Sequence, residues 1–148
     1  MIYIREFQSE DIDAVVNLFD AYRLFYKMDS NKVLAKKFLL ERIANKESVI
    51  FVSENEVAVL TGFVQLYPIF STTRLKRLWL LNDLFVDLAE RGKGISKKLI
   101  QQAQKLCVET EGCGLILETA KSNVIGNLLY SATDFVLDEN HNYYTWDC

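Results

Sequence analysis

The chain of 148 residues has one proline, Pro68, only six glycines and a single histidine, His141. Its three cysteines, Cys107, Cys113 and Cys148, cannot all pair with one another. The histidine and cysteines are scattered and lack the spacing of a metal site, so we expect no bound metal. Cysteine usage of this kind is typical of reduced thiols, and we therefore expect a cytoplasmic protein.

Long apolar runs and excess positive charge are also missing. No apolar stretch approaches the roughly 20 residues of a membrane-spanning helix. The apolar opening at residues 1–4 is interrupted at once by Arg5 and Glu6, so we expect no secretory signal. The net charge is −3, whereas a nucleic-acid-binding surface would be basic. We predict neither a membrane nor a nucleic-acid partner.

The chain does contain enough apolar residues to form one hydrophobic core. Half of the chain is apolar, and no repeat or linker interrupts it. The length is typical of one domain, so we predict a single domain over residues 1–148.

Hydrophobic periodicity predicts alternating strands and helices. Helices are expected from about residue 12, over residues 31–45, from Ile95 and from Asn123. Strands are expected at residues 2–7, 48–53, 57–67, 78–87, 115–118, 135–137 and 143–146. The order predicts an α/β fold, a mixed sheet of about six to seven strands with helices on both faces.

A loop of glycine and charge, residues 90–94, follows the apolar strand at residues 78–87 and precedes a helix. Glycines let several backbone N–H groups converge, and a helix N-terminus adds donors and partial positive charge. Four cations occur within eight residues: Arg91, Lys93, Lys97 and Lys98. This pattern indicates a site for a di- or triphosphate; the alternative is a solvated turn before a lysine-rich helix face.

Two other phosphate motifs are excluded. The sequence G-x-x-x-x-G-K-[ST] does not occur, which excludes a P-loop. A dinucleotide fingerprint would need a third glycine where Lys97 stands.

The segment Arg91-Gly92-Lys93-Gly94-Ile95-Ser96 resembles the R/Q-x-x-G-x-G/A signature of the GNAT superfamily of acetyl-CoA-dependent N-acetyltransferases. The last position is usually Gly or Ala, and here it is the similarly small Ser96. The resemblance implies that this loop, continued by Lys97, holds the pyrophosphate of acetyl-CoA.

A second segment resembles the family motif N-x-x-A-x-x-L-Y-x-x-x-G-F. The matching positions here are Asn123, Gly126, Leu129, Tyr130, Asp134 and Phe135. Gly126 replaces the alanine, and Asp134 replaces the glycine that usually ends the helix. Asn123 and Tyr130 are seven residues apart, so on a helix they face the same way, roughly 10 Å apart along the axis. The resemblance implies that both contact the pantetheine arm.

The resemblance implies a GNAT-like, centrally splayed sheet and direct acetyl transfer from acetyl-CoA to an amine. Tyr130 would be the acid that protonates the leaving thiolate. Backbone N–H groups of Leu84, Phe85 and Val86 would hold the acetyl carbonyl and the pantetheine. Many small members of this family are dimers, so a homodimer is expected.

The resemblance also bears on the general base. The stretch around Asn82 and Asp83 resembles the polyamine and thialysine branch of the family, which has a glutamate where Asn82 stands. Asp83, or a chain of water molecules, is the candidate base; the alternative is a strand aspartate bonded to its neighbours.

Aromatic residues are candidates to line the acceptor site, where their faces suit a cation or an apolar group. We predict an amine-binding set of Tyr22, Phe25, Tyr26, Tyr67, Phe70 and Asn82; Asp20, Asp29 and Glu118 are candidate counter-charges. The predicted acceptor is a small-molecule amine, such as an amino acid or a polyamine-like compound. Two alternatives remain open: a protein or peptide N-acetyltransferase, and a non-catalytic acyl-CoA-binding regulatory module.

Overall fold

The computed structural model describes residues 1–148 and divides them into two units, Met1–Glu118 and Thr119–Cys148. The first unit holds a five-stranded sheet of β1 (Ile2–Glu6), β2 (Val49–Asn55), β3 (Leu60–Ser71), β4 (Lys76–Val86) and β5 (Leu115–Ile116), in that order. It also holds helices α1 (Ile12–Phe25), α2 (Lys32–Ala44) and α3 (Ile95–Glu109). The second unit contains α4 (Val124–Ser131).

Helices cover both faces of the sheet, as the periodicity predicted. On one face, Val15, Phe19 and Leu39 of α1 and α2 pack with Val52 and Phe63 of the sheet. Residues of the opposite parity, such as Val64 and Leu66, are equally buried, and α3 contacts this other side with Ile95, Leu99 and Ile100. The mixed α/β fold is therefore confirmed, with five strands instead of about six to seven. No helix is both long and apolar enough to cross a membrane.

The sheet opens beside β4. Strands β1 to β4 are antiparallel, whereas β5 pairs in parallel with β4 at two positions only, Trp79↔Leu115 and Leu80↔Ile116. Residues 81–86 of β4 continue past the last β5 partner. One edge of this part of β4 therefore has no β5 partner. This opening is the splay that the resemblance implied.

A β-bulge lies in the same part of β4. Gln65 of β3 is opposite Asp83, and the next residue, Leu66, is opposite Leu81. Asn82 is therefore the extra residue of the bulge. The bulge puts Asp83 on the face covered by α1 and α2 and leaves Asn82 exposed.

β3 is longer than predicted, because it continues through Pro68 to Ser71. Proline cannot donate a backbone hydrogen bond and is tolerated at a sheet edge. The pairing of β2 with β3 ends at Val49↔Leu66, before Pro68 is reached. The nitrogen of Pro68 therefore has no β2 partner to bond.

The two strands predicted at residues 135–137 and 143–146 are not formed. Most of their aromatic and apolar side chains are exposed, Tyr144 by 89% and Trp146 by 86%, whereas Phe135 is half-buried. Strand propensity reflects packing against neighbours, and here no neighbouring strand pairs with them. This prediction was wrong.

Helix α4 begins and ends as its sequence predicts. Asn123 is its N-cap, since its Oδ1 accepts a hydrogen bond from the Gly126 N–H at 3.1 Å. After the helix, Phe135 N–H donates to the Tyr130 carbonyl at 3.1 Å, and the Tyr130 and Phe135 rings contact at 5.8 Å. Asp134 lies between them in the left-handed region, with φ 68°. The aspartate thus occupies a conformation that glycine adopts more readily.

Substitution at Asp134 should show this preference. We expect Asp134→Gly to be at least as stable as the wild type and about 1 kcal/mol more stable than Asp134→Ala, because alanine is strained at this φ. Chemical denaturation of the three proteins measures the difference. Equal stability of the glycine and alanine variants would contradict the strain.

Candidate active site

The loop before α3 has the backbone of an anion-binding turn. Gly92 and Gly94 have φ of 78° and 75°, and Gly94 is the N-cap of α3. The first intrahelical bond runs from Lys98 N–H to the Gly94 carbonyl, at 3.2 Å. The amides of residues 95–97 therefore precede any helical carbonyl that could accept from them. A Cβ added at either glycine would meet nothing within 4 Å, so the loop backbone is open to the approach of a phosphate group.

The cationic side chains near the loop are in different environments. Lys93 Nζ donates to Glu90 at 2.8 Å, and Lys97 and Lys98 are exposed. Arg91 turns back, since its Nε donates to the Val86 carbonyl at 3.1 Å and its guanidinium lies 5.6 Å from the ring centres of Phe25 and Phe85. Arg91 therefore connects the loop to an aromatic cluster, which its motif position alone did not indicate.

The open edge of β4 presents the backbone of two of the three predicted residues. Asp87 N–H, just after β4, donates to the Thr61 carbonyl of β3 at 2.9 Å. Because an antiparallel strand alternates its hydrogen-bonding direction, Phe85 faces β3 as well, whereas Leu84 and Val86 face the open edge. The groups on that edge that could hold an acetyl carbonyl or pantetheine therefore belong to Leu84 and Val86.

Asp83 is the buried acid of the site, with 4% exposure. Its Oδ2 accepts from Gln65 Nε2 at 2.7 Å and from Asn82 Nδ2 at 3.0 Å. The Tyr22 hydroxyl, which donates to the Asn82 carbonyl at 3.4 Å, lies close to this carboxylate. Burial raises the pKa of Asp83 above its ordinary value, and the polar contacts with Asn82, Gln65 and Tyr22 oppose this in part. A carboxylate with a raised pKa among neutral donors is suited to accept a proton.

The two nearest tyrosines keep their protons. Burial, with the nearby Asp83 charge, raises the pKa of Tyr67 to about 12 and moves the pKa of Tyr22 upward too. Both phenols therefore remain neutral hydrogen-bonding groups beside Asp83 at physiological pH.

Five of the six predicted acceptor residues lie around Asp83 and Arg91. Tyr22 contacts Tyr26 with ring centres 4.9 Å apart, and Tyr26 contacts Phe25 at 5.3 Å. Tyr67 is two residues from Gln65 on the same face of β3. Asn82 joins this group at the bulge, and its carbonyl accepts from the Tyr22 hydroxyl at 3.4 Å.

Phe70 does not join this group. It has the opposite parity to Tyr67 on β3, so it lies on the other face of the sheet. It is 73% exposed, and Arg77 lies 5.3 Å from its ring centre. We therefore leave Phe70 out of the acceptor site.

The candidate counter-charge Asp20 has a different role. It is 2% exposed, and its two oxygens accept from Ser30 Oγ at 2.6 Å and from Asn31 N–H at 2.9 Å. These bonds tie the connection between α1 and α2 to α1, and they lower the pKa of Asp20. Asp20 therefore fixes the segment that carries Phe25 and Tyr26. Asp29 and Glu118 are exposed.

In the second unit, Asn123 and Tyr130 are at the two ends of α4. Besides its capping bond, Asn123 donates from Nδ2 to Thr119 Oγ1 at 2.9 Å. Both ends of its side-chain amide thus have partners, and Asn123 is first of all a helix cap. A Cβ at position 126 would come within 2.3 Å of Asn123 Nδ2, so alanine there would require the Asn123 side chain to move.

Gln65 and Ser48 were not predicted. Each looks like an ordinary polar residue of a strand or strand end, and only the pairing of β3 with β4 puts Gln65 beside Asp83. A polar residue within the largely apolar run LTGFVQLY was the available signal. No group of three or more metal-ligating side chains is present.

A mixed sheet that opens beside β4, next to a phosphate-type loop, is the arrangement expected of an acyltransferase. Residues 12–135 match the acetyltransferase (GNAT) family. The chain therefore belongs to this family and is an acetyltransferase enzyme. Members typically use acetyl-CoA, and the loop before α3 fits its phosphates.

Individual relatives agree with this assignment. The chain is 36% identical over 141 residues to the uncharacterised N-acetyltransferase YhfO of Bacillus subtilis (strain 168), covering 95% of this chain and 94% of the relative. It is 32% identical to a probable acetyltransferase of Haemophilus influenzae (strain Rd), covering 76% and 77% of the two chains. The crystal structure of a probable acetyltransferase superposes with a TM-score of 0.94 at 34% identity, covering 99% and 97%.

Proposed function

We propose that this enzyme transfers the acetyl group of acetyl-CoA directly to the primary amine of a small molecule, such as an amino acid or a polyamine-like compound. The observation that carries the proposal is Asp83, a buried carboxylate with a raised pKa at the bulge of β4. It lies beside the open strand edge and close to tyrosines that remain neutral. An acid placed there suits an amine acceptor, because an amine must lose a proton to react.

Removal of a proton from the acceptor amine is the first chemical requirement. A lysine-like amine titrates near 10.4, so roughly one molecule in a thousand or fewer is nucleophilic at neutral pH. Asp83 is the final acceptor of this proton, received directly or through water. Tyr22 and Tyr26 supply aromatic surface for the ammonium form on its way in.

The donor is held by the loop and by β4. Gly92 and Gly94 shape the loop, and amides at the start of α3 face the phosphates. The backbone groups of Leu84 and Val86 on the open edge orient the thioester. When the donor is bound, the amine nitrogen forms a bond to the acetyl carbon, the carbon–sulfur bond breaks, and coenzyme A leaves as a thiol. Tyr130 supplies the proton that the sulfur takes up and regains one, directly or through water, from the second proton that the nitrogen loses.

The proposal is tested by a thiol-release assay. Purified protein is incubated with acetyl-CoA and a panel of polyamines, amino acids, arylalkylamines and lysine peptides, and acetylated products are identified by mass spectrometry. We expect release of coenzyme A with at least one small amine, above the hydrolysis seen without amine. Turnover of peptides alone would reject the small-molecule acceptor. Binding of acetyl-CoA without turnover on any amine would favour a non-catalytic module.

The loop can be tested separately. We expect Gly94→Val to weaken acetyl-CoA binding by about tenfold or more, because a β-branched residue is strained at φ 75° and displaces the amides. Calorimetric titration measures the dissociation constant. The matched ligand is acetyl-pantetheine, which lacks the pyrophosphate, so its dissociation constant should change little in this variant. Equal losses with both ligands would show that the loop does not bind phosphate.

A further inference from the structure

Gln65 is a buried polar residue that the proposed reaction has not yet used. Its side chain is fully enclosed, with 0% exposure, in the middle of β3. Burying a primary amide is unfavourable unless its donors and acceptors are bonded. Gln65 meets that requirement with two short bonds, one at each end of the amide. A residue placed in this way is a candidate for more than packing.

The two bonds give the amide a direction. Gln65 Nε2 donates to Asp83 Oδ2 at 2.7 Å, and Ser48 Oγ donates to Gln65 Oε1 at 2.7 Å. An ionised carboxylate only accepts hydrogen bonds, so the amide nitrogen must face Asp83. The Ser48 hydroxyl, just before β2, then supplies the donor that Oε1 needs. Ser48, Gln65 and Asp83 thus form a chain that crosses from β2 to β4.

We propose that Gln65 is a positioning residue for Asp83: it fixes the carboxylate at the β4 bulge and favours its ionised form, and Ser48 holds Gln65 in the required orientation. The proposal rests on the assignment of Asp83 as the base. Without Gln65, the bond from Asn82 to Oδ2 would remain, but the Asn82 side chain is exposed and can turn toward solvent. Gln65 is the donor that the fold itself holds in place.

The surroundings of Asp83 explain why this donor matters. The groups that face it are Tyr22 from α1, Asn82 from the bulge, and Gln65 and Tyr67 from β3. All of them are neutral, and the charge of Arg42 of α2 acts on Tyr67 and not on Asp83. The ionised form of Asp83 is therefore stabilised by hydrogen bonds in place of an ion pair. Loss of one of its two short hydrogen bonds should move the titration midpoint of Asp83 to higher pH.

The first test is a direct titration of the free protein, followed by carboxyl-carbon NMR. In Gln65→Met, which keeps the length of the side chain but not its amide, we expect the Asp83 midpoint to rise by about one pH unit or more. The matched control is Thr61→Val, which removes a buried hydrogen bond to Ser53 (2.8 Å) elsewhere on β3. An Asp83 midpoint that is the same in Gln65→Met and Thr61→Val would overturn the proposal.

Ser48 provides a second test that disturbs the core less, because its side chain is only partly buried. We expect Ser48→Ala to move the Asp83 midpoint in the same direction by a smaller amount, and Ser48→Thr to restore it. The acidic limb of kcat/KM for the acceptor should move with the NMR midpoint in each variant. An unchanged midpoint in Ser48→Ala would remove Ser48 from the proposal.

These tests separate the two levels of the argument. If the midpoints shift as expected but no amine is acetylated, the positioning of Asp83 stands and the proposed function fails. If amines are acetylated but the midpoint of Gln65→Met does not shift, the enzyme reaction stands and the role of Gln65 is wrong.

Discussion

Asp83→Asn should lower kcat/KM for the amine acceptor by roughly 100-fold or more at neutral pH, the usual contribution of a general base. The acetyl-CoA dissociation constant should remain within about twofold of the wild type, because the phosphate-binding loop is unchanged. The variant should fold, since an asparagine Oδ1 can accept from Gln65 and Asn82 while its Nδ2 donates to the Tyr22 oxygen. Steady-state kinetics and calorimetric titration measure the two effects.

The pH dependence of kcat/KM shows whether the lower activity of Asp83→Asn comes from the loss of a proton acceptor. In the wild type, the acidic limb of kcat/KM should follow the raised pKa of Asp83, because only the ionised carboxylate accepts a proton. In Asp83→Asn this limb should be absent. A matched substitution is available in Asp29→Asn, since Asp29 is an exposed aspartate of the connection between α1 and α2. That variant should retain the wild-type profile. If Asp83→Asn kept it too, Asp83 would be a structural residue only.

Stability should depend on pH with a definite sign. The pKa of Asp83 is higher in the folded protein than the ordinary value of about 3.9 in the unfolded chain. The part of the free energy of unfolding that comes from this pKa difference is therefore fully present below the ordinary value. It is lost as the pH rises through the raised pKa of the folded protein. The amide introduced by Asp83→Asn does not titrate. Compared with this variant, the wild type should lose free energy of unfolding over this pH range, which chemical denaturation at a series of pH values measures.

The predictable parts of this molecule are those whose geometry is local. The turn at Gly92 and Gly94 needs positive φ at fixed spacing from a helix start, and both glycines have it. Asn123 was expected to open α4 and caps it. Asp134 stands where the family motif usually has the helix-ending glycine, and it has a φ of 68°. Each of these depends on a few consecutive residues, so the sequence pattern contains most of the information.

The parts that could not be predicted depend on distant residues. Gln65 and Asp83 are 18 residues apart and meet only because β3 and β4 pair in one register with a bulge at Asn82. A shift of one residue would send either side chain to the other face of the sheet. Phe70 shows the same effect, since its parity on β3 puts it on the face opposite Tyr67. Composition could not distinguish these arrangements.

Two errors have a related cause. Asp20 was a candidate counter-charge because a carboxylate near aromatic residues can balance an amine, yet both its oxygens are bonded to Ser30 and Asn31. The segment at residues 143–146 alternates like a strand, but it pairs with no other strand. A residue type indicates what a side chain can do, and its partners decide what it does.

Tyr130→Phe should lower kcat by about 100-fold while leaving the acetyl-CoA dissociation constant within about twofold of the wild type. The leaving thiolate has an intrinsic pKa near 8.5, by analogy with cysteine, so expulsion of the sulfur is favoured when a proton is supplied. Phenylalanine keeps the ring that contacts Phe135 at 5.8 Å and removes only the hydroxyl. The ring contact at the end of the helix should therefore be preserved.

The leaving group offers a sharper test of this role. A donor thioester with a more acidic thiol needs less help from an acid, so Tyr130→Phe should lose less kcat with it than with acetyl-CoA. The control is Tyr144→Phe, because Tyr144 is an exposed tyrosine of the same unit; it should retain wild-type kcat with both donors. An equal loss in Tyr130→Phe with both donors would mean that the hydroxyl does not protonate the sulfur. A raised dissociation constant at unchanged kcat would assign Tyr130 to binding of the coenzyme instead.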